Sequence, residues 1–250
     1  MIALLCFLPQ ASAAVFTSSG GGEFGGAISG STMNWTDNVS FVNVTLTKGA
    51  GSFNDRLVIH LATGVTGRNE IGTNANDRGD GLRSAMSYME GSTKLTLTLP
   101  TGFDATRAIG IDSTFGGLWA IPATGTMGNN QLSFVGAVDD TLTSATQPTF
   151  NFSFALPELG LTPNSNAPIK FVATYRNPFG GTGSLGFASN EGYGNGLPTS
   201  NIGQASFAFS GSPPTYTTTA DPEPTTLTSL AVIGIANLMT ESRRRRPAAV

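Results

Sequence analysis

The chain has 250 residues, of which only 12% are charged, and its formal net charge of −3 includes four arginines near the C-terminus. Counted to Pro224 alone, 9 basic residues stand against 15 acidic ones, a net charge of −6. Such a surface repels phosphate backbones, which argues against nucleic acid as a partner. Hydrophobic residues make up 39% of the chain, enough to build a packed core.

The N-terminal segment, residues 1–13, has the features of a secretory signal peptide. A short apolar run at 2–8 is followed by Ala11 and Ala13, the small-x-small pattern that precedes cleavage by signal peptidase. The segment has no basic residue, so we expect the natural chain to start a few residues earlier. A buried N-terminal strand is the alternative. The only cysteine, Cys6, lies in this segment, so the mature chain would have neither a disulfide nor a cysteine metal site.

Residues 14–211 are predicted to form one β domain, because apolar and polar residues alternate with the period of two that half-buried strands require. Segment 94–99 alternates most regularly, and we expect its leucines to point inward and its threonines outward. One helix-like stretch lies at about 82–89. The other strand-like segments are 41–46, 57–61, 109–111, 118–121, 132–138, 150–156, 169–175 and 206–209. About ten strands separated by turns predict an all-β fold, an antiparallel β-sandwich.

Several of these segments also carry a family resemblance. Strand 152–156 runs into a proline-led turn at 157–161, strand 169–175 and segment 185–190 follow, and 56–61 lies upstream. Together they are similar to DOMON-like and family 9 carbohydrate-binding-module sandwiches. The resemblance implies a sandwich that binds sugar.

Aromatic side chains on a sandwich surface can stack on sugar rings. Trp35, Tyr175 and Tyr193 are the candidates for such stacking. Core packing is the alternative for each of them, and it is favoured for Trp119, which lies between apolar neighbours.

Catalytic and metal-binding patterns are sparse. His60 is the sole histidine and lies in a predicted strand, either facing outward or satisfied in the core. With no cysteine in the mature chain, a His/Cys metal site is excluded, and a Ser-His-Asp triad would have to use His60. We expect no enzymatic activity and no cofactor.

One loop concentrates oxygen ligands that calcium prefers. Asn74, Asn76, Asp77 and Asp80 could surround Ca²⁺, but Arg78 adds a repulsive charge and the EF-hand glutamate is missing. A metal-free turn is therefore favoured.

The C-terminal region divides into a spacer and a tail. Residues 212–221 are rich in proline and threonine and are predicted to form a stiff spacer. The tripeptide Pro222, Glu223, Pro224 then precedes an apolar stretch, predicted as a single hydrophobic helix at 225–240, and the tail ends in a basic run made of Arg243, Arg244, Arg245 and Arg246.

Residues 222–247 resemble the PEP-CTERM sorting signal of bacterial envelope proteins. The resemblance implies recognition and cleavage by an exosortase-type membrane protease, with the arginines retained on the cytoplasmic side. The apolar stretch would span ~24 Å as a helix, which is short for a hydrocarbon core of about 30 Å and suits a transient anchor. An ordinary tail anchor is the alternative.

These features predict an exported, non-enzymatic protein, transiently anchored in the membrane by its C-terminal helix and then displayed on the cell surface or in the extracellular matrix. Its expected partners are signal peptidase, the exosortase-type protease and an exopolysaccharide.

An ice-binding protein is one alternative, and it needs a regular array of outward threonines. The pairs available in sequence are Thr45, Thr47, Thr96 and Thr98. A composition rich in Asn, Thr and Ser also explains the N-x-S/T sequons at Asn34, Asn38, Asn43 and Asn151.

A secreted glycoside-active enzyme is the other alternative, and it needs two carboxylates facing each other across a cleft. Asp139 and Asp140 are adjacent in sequence, which places them on opposite faces of a strand or in a hairpin turn.

Overall fold

A computed structural model describes residues 12–38, 40–72, 77–90, 93–125, 131–138, 142–177, 187–203 and 205–219. They belong to one compact unit, Gln10–Thr219. Its strands are β1 (Ala13–Thr17), β2 (Thr32–Asp37), β3 (Phe41–Thr47), β4 (Arg56–Ala62), β5 (Glu70–Ile71), β6 (Met89–Glu90), β7 (Thr93–Lys94), β8 (Leu97–Thr98), β9 (Arg107–Ile111), β10 (Gly116–Ala120), β11 (Ser133–Ala137), β12 (Thr149–Ala155), β13 (Pro168–Asn177), β14 (Phe187–Tyr193), β15 (Phe207–Ala208) and β16 (Thr215–Thr217). Helix α1 covers Gly81–Met86, and a 3₁₀ turn covers Leu156–Leu159.

Two antiparallel sheets pack face to face, which confirms the predicted all-β, sandwich-like fold. The four-stranded sheet has the order β1-β2-β3-β12, and the seven-stranded sheet has the order β11-β10-β9-β4-β13-β14, with β16 added beside β13. Between them lies an aromatic core in which the rings of Trp35 and Phe171 stack 4.7 Å apart. Phe150, Phe152 and Phe154 of β12 all point into this core, as their alternation predicts.

The seven-stranded sheet is covered on both faces. Leu57, Ile59 and Leu61 of β4 enter the core between the sheets, while Val58 on the same strand packs into a second core. This second core is closed by α1 and by a small sheet of β15, β8 and β5, in which β15 and β8 run parallel. Because both faces are covered, β4 is buried along almost its whole length instead of alternating.

Most predicted strands are present, and the helix-like stretch is α1. The prediction for 94–99 is confirmed in its facing, since the three leucines are buried while Thr96 is half-buried and Thr98 is exposed. Phe134 of β11 departs from the strand pattern at 132–138: Leu132 and Val138 are buried, whereas Phe134 is 51% exposed on this edge strand of the sheet.

The predicted spacer at 212–221 is also corrected. Residues 215–217 form β16, which pairs with β13, and Tyr216 is buried against the aromatic core. Thr219 is still hydrogen-bonded to Asp37 of β2. The sandwich therefore extends to residue 219.

The predicted targeting segments fall largely beyond the structural description. Ala13 begins β1, where it pairs with Thr36, whereas Ala11 and the tail from residue 220 onward lie outside the described residues. Within the described residues, neither α1 nor the 3₁₀ turn has the length and apolar composition of a membrane-spanning helix.

Candidate functional site: an exposed aromatic cleft

The three aromatic residues predicted to stack on sugars are buried. Trp35, Tyr175 and Tyr193 each have 0% exposure, so their ring faces pack against the protein. The Tyr175 hydroxyl accepts a hydrogen bond from the Asp55 backbone N–H at 2.9 Å, and the Tyr193 hydroxyl lies 2.6 Å from Ser31 Oγ. The prediction that these residues stack on sugar is wrong, because all three lie in the core between the two sheets.

A cluster of exposed aromatic side chains lies instead at the β10–β11 edge of the seven-stranded sheet. Phe115 is 37% exposed and Phe134 51% exposed, and their ring centroids are 6.4 Å apart. Trp119 lies between them and below, with its ring centroid 6.3 Å from that of Phe115 and 5.4 Å from that of Phe134. We call these three residues, with the cavity beside them, the aromatic cleft.

The turn between β9 and β10 fixes the position of Phe115. Asp112 Oδ1 accepts hydrogen bonds from the backbone N–H of Thr114 at 2.8 Å and of Phe115 at 2.9 Å. This Asx-type turn reverses the chain within a few residues, as short aspartate side chains commonly do. The aspartate therefore holds Phe115 at the rim of the cleft.

The position of Trp119 depends on a neighbouring glycine. A Cβ atom added at Gly117 would lie 2.6 Å from Trp119 Cη2, closer than side-chain contacts allow. Across the sheet, Trp119 pairs with Phe134, next to a register shift between Leu118 and Trp119. The indole can therefore lie flat along its own strand and support both exposed rings.

A cavity of about 220 Å³ adjoins the rings and adds polar groups. Its lining includes Arg56, Asp80 and Asp112 together with Leu82, Phe115 and Trp119. Asp80 is the N-cap of α1, where Oδ1 accepts from the Arg83 N–H at 2.8 Å. Gly81 leaves room for the Arg56 guanidinium, since a Cβ there would lie 2.9 Å from Arg56 Nε.

Comparison with family models, curated proteins and solved structures gives no match for this chain.

The cleft combines two exposed rings with carboxylates and a guanidinium. Rings offer flat apolar faces to the C–H groups of a sugar, and the charged groups offer hydrogen bonds to its hydroxyls. The sequence analysis did not identify Phe115 or Phe134 as candidates. For Phe115 a signal was present, because turns led by an aspartate such as Asp112 usually lie at the surface.

A second, larger cavity of about 420 Å³ lies between residues 67–70 and 123–125. Its wall is organised by Arg68, whose Nη2 donates to the carbonyl of Thr124 at 2.9 Å. The lining among the described residues contains no aromatic side chain. It is therefore less suited to a sugar than the aromatic cleft.

The loop considered for calcium uses its described carboxylates in protein contacts. Asp77 is buried and accepts hydrogen bonds from Arg83 Nη1 at 3.0 Å and from the Leu132 N–H at 2.9 Å. Asp80 caps α1, while Asn74 and Asn76 lie outside the described residues. Within the described ranges, no group of three or more His, Cys, Asp or Glu side chains converges on a common point.

His60 lies apart from the cleft, buried beneath the end of α1. Burial lowers the pKa of His60 to about 4 from its usual 6.5, and the nearby charge of Arg176 acts in the same direction. The His60 Nε2 lies 3.4 Å from the carbonyl of Met86, and Arg176 Nη1 donates to the carbonyl of Ala85 at 3.2 Å. Both residues therefore serve the C-terminal carbonyls of α1, a structural role. Asp139 and Asp140 lie outside the described residues.

Proposed function

We propose that this chain is an exported, non-enzymatic bacterial protein of the cell surface or extracellular matrix that binds polysaccharide through its aromatic cleft. The observation that carries the proposal is the pair of exposed rings, Phe115 and Phe134, placed 6.4 Å apart above Trp119. An exposed cluster of apolar rings with polar groups at its rim is typical of an interaction site. The cavity beside them supplies carboxylates and a guanidinium for sugar hydroxyls.

The export part of the proposal rests on the two ends of the sequence. Ala11 and Ala13 suit signal peptidase, and the order Pro-Glu-Pro, apolar stretch and four arginines suits an exosortase-type membrane protease. In this scheme the segment 225–240 holds the chain in the membrane until the protease releases it to the surface. Neither protease needs any feature of the aromatic cleft, so the two parts of the proposal can be tested separately.

Affinity at a single cleft is expected to be low. Aromatic contacts of this kind contribute about 0.5–1.5 kcal/mol each beyond the area they bury. Two exposed rings therefore favour a weak, reversible contact with one stretch of polysaccharide. Useful retention would come from many copies of the protein on one surface, since linked weak sites bind far more tightly together.

Titration of the mature protein with the producing organism's exopolysaccharide, followed by calorimetry, tests the binding. We expect Phe134→Ala and Phe115→Ala each to weaken binding about tenfold, a loss of about 1.4 kcal/mol. Val65→Ala is the matched control, because Val65 is 54% exposed but lies outside the cleft. Equal affinity of the wild type and all three variants would show that the polysaccharide does not bind in the aromatic cleft.

The enzymatic alternative has one observation in its favour, since Asp80 and Asp112 line the same cavity. It is the second candidate because each carboxylate already serves the backbone, Asp80 at the start of α1 and Asp112 in its turn. Release of reducing sugar by the wild type, abolished by Asp112→Asn, would establish hydrolysis in place of binding.

A further inference from the structure

The outer face of the four-stranded sheet carries a row of four threonines in register. Thr17 pairs with Thr32, Thr32 pairs with Thr47, and Thr47 pairs with Thr149. Each strand of the sheet contributes one member, and each of the four residues is exposed or half-buried. The row therefore crosses the whole sheet, whereas in the sequence its members are scattered between residues 17 and 149.

Two further rows run beside the threonines. The same pairings align the first as Val15, Asn34, Thr45 and Asn151, and the second as Ala13, Thr36, Asn43 and Ser153. We call the three rows together the hydroxyl-rich face. Of its twelve outward side chains, none carries a charge, and eleven of them remain in a mature chain that begins at Ala14.

This arrangement also explains most of the sequons. In a strand, residues i and i+2 point to the same face, so an outward Asn followed by an outward Thr or Ser spells N-x-S/T. Asn34, Asn43 and Asn151 are all exposed on the hydroxyl-rich face. The sequons therefore follow from a face built from amides and hydroxyls.

We propose that the hydroxyl-rich face is a second binding surface for a neutral polysaccharide chain. This inference rests on the proposed function and names the class of ligand. Hydroxyl and amide groups both donate and accept hydrogen bonds, as sugar hydroxyls do, and an uncharged face pairs poorly with an ionic partner. The hydrogen bond from Thr45 Oγ1 to Asn151 Oδ1, at 2.8 Å, orients the Asn151 amide across the strands.

Sheet geometry distinguishes a polysaccharide from ice as the occupant. Neighbouring strands lie about 4.8 Å apart and outward residues along a strand about 6.8 Å apart, so the groups form a regular grid. Strands in a sheet also rotate by about 20–25° relative to one another, so we expect the grid to turn from β1 to β12. A rigid crystal plane would touch only part of such a face, while a flexible chain can follow the turn.

The second surface lies on the opposite side of the sandwich from the aromatic cleft. Trp119 belongs to the second core, on the face of the seven-stranded sheet that points away from the four-stranded sheet, and Phe134 lies opposite it on the same face. The hydroxyl-rich face is the outer side of the other sheet. One molecule can therefore hold two polysaccharide chains and cross-link them.

The test compares site number and cross-linking in the mature protein, using a panel of soluble neutral glucans, galactans and mannans and their hexasaccharides. For the panel member that binds, we expect two hexasaccharides per wild-type chain by calorimetry, and an increase in the viscosity of the long polymer. The double variant Asn34→Lys/Thr47→Lys should bind one hexasaccharide per chain and should not increase the viscosity of the long polymer. Thr98→Lys, an exposed threonine on another sheet, is the control and should behave as wild type.

The outcomes separate the two sites. A face variant that still binds two hexasaccharides and still cross-links would overturn this inference and leave the aromatic cleft standing. If Phe134→Ala instead has no effect while the face variant loses all binding, the cleft is wrong and the face remains. If the double lysine variant does not fold, Thr47→Val replaces it in this test, because it exchanges only a hydroxyl for a methyl group. Freezing-point hysteresis that Thr47→Val abolishes, without any sugar binding, would make ice the occupant and overturn the proposal.

Discussion

Asp37 and Thr219 are joined by two hydrogen bonds although 182 residues separate them in the sequence. The Thr219 N–H donates to Asp37 Oδ2 at 2.8 Å, and the Thr219 hydroxyl donates to Asp37 Oδ1 at 2.9 Å. The buried Tyr216 hydroxyl donates to the same carboxylate, and the Ser12 N–H donates to Thr219 Oγ1 at 2.9 Å. Asp37 therefore fastens the last strand of the sandwich to β2, beside the first described residue.

Replacing this carboxylate should destabilise the whole domain. Asp37→Ala leaves the Thr219 N–H without its acceptor and the Tyr216 hydroxyl with only the Ser12 carbonyl, 3.1 Å away. We expect the free energy of unfolding to fall by about 2–3 kcal/mol. Urea unfolding, followed by tryptophan fluorescence, measures the change. Asp104→Ala is the control, because Asp104 is exposed and should shift the free energy by less than about 0.5 kcal/mol. Equal effects of the two substitutions would contradict the role of Asp37.

Truncation tests whether residues 212–219 belong to the sandwich. A chain ending at residue 219 keeps β16 and the contacts of Asp37, whereas one ending at 211 exposes the surface that Tyr216 covers. Full burial of an aromatic side chain is worth about 1.5–3 kcal/mol. We therefore expect the shorter chain to unfold at a clearly lower urea concentration. Identical midpoints would restore the view of this segment as a spacer.

The sequence predicts a strand when its pattern is local. Residues 150–154 alternate phenylalanine with asparagine and serine, so both the strand and its buried face could be read directly. Tyr216 lies in a run of prolines and threonines, and only its pairing with β13 and its bond to Asp37 reveal it as part of the core. Pairing between segments far apart in the chain produces no alternation of apolar and polar residues that the sequence could reveal.

The facing of aromatic residues was the least predictable property of the site. Trp35 and Phe134 both lie in strands, yet the first is buried and the second exposed. The difference is set by position in the sheet, because β2 is covered by the facing sheet while β11 is an edge strand. The aromatic cleft therefore required the tertiary structure, whereas the outward positions of Thr45 and Thr47 on β3 were partly visible in the alternation.

His60 should make stability fall with acid. Because its pKa is about 4 in the folded protein against 6.5 normally, the unfolded chain takes up a proton first as the pH drops. The contribution of neutral His60 is complete above pH 6.5 and is lost as the pH falls toward 4, by roughly 3 kcal/mol in total. Denaturant unfolding at a series of pH values measures the slope.

The control for this prediction is His60→Gln, which keeps a donor for the Met86 carbonyl but does not titrate. Its free energy of unfolding should change less than that of the wild type between pH 6.5 and 4, although carboxylates still contribute to both. Parallel pH profiles for the two proteins would show that folding does not shift the pKa of His60.

Glu191 of β14 organises the glycine-rich loop that follows β1. Its carboxylate is fully buried and accepts backbone hydrogen bonds from Gly26 at 2.9 Å and Ile28 at 2.8 Å, with two longer ones from Phe24 and Ser29. Hydrogen bonds to a charged group contribute about 1.5–3 kcal/mol each. We expect Glu191→Ala to lower the free energy of unfolding by at least 3 kcal/mol.

Hydrogen exchange locates the effect of Glu191→Ala. Amides of residues 24–29 should lose protection first, because four of them donate to this carboxylate in the wild type. Glu70→Ala is the control, since Glu70 is exposed and should leave the loop unchanged. Retained protection of these amides in Glu191→Ala would mean that the loop is held by its other contacts.

Processing of the two ends can be read from the intact mass of the protein extracted from the cell surface. We expect a chain that begins at Ala14 and has lost everything after about Pro224. Cleavage after Ala13 removes the Ser12 contacts but keeps the pairing of Val15 with Asn34, and cleavage after Pro224 leaves Asp37 bound to Thr219. The sandwich should therefore survive both cuts with its fold intact.

The matched variants for the tail replace Arg243 to Arg246 with serine in one protein and Glu241 with glutamine in another. Loss of the arginines removes the charge that keeps this end cytoplasmic, so we expect the uncut chain to accumulate or to pass into the medium. Glu241→Gln leaves the basic run in place and should be processed like the wild type. A surface-extracted wild-type species that still carries the four arginines would show that the tail is a permanent anchor and not a sorting signal.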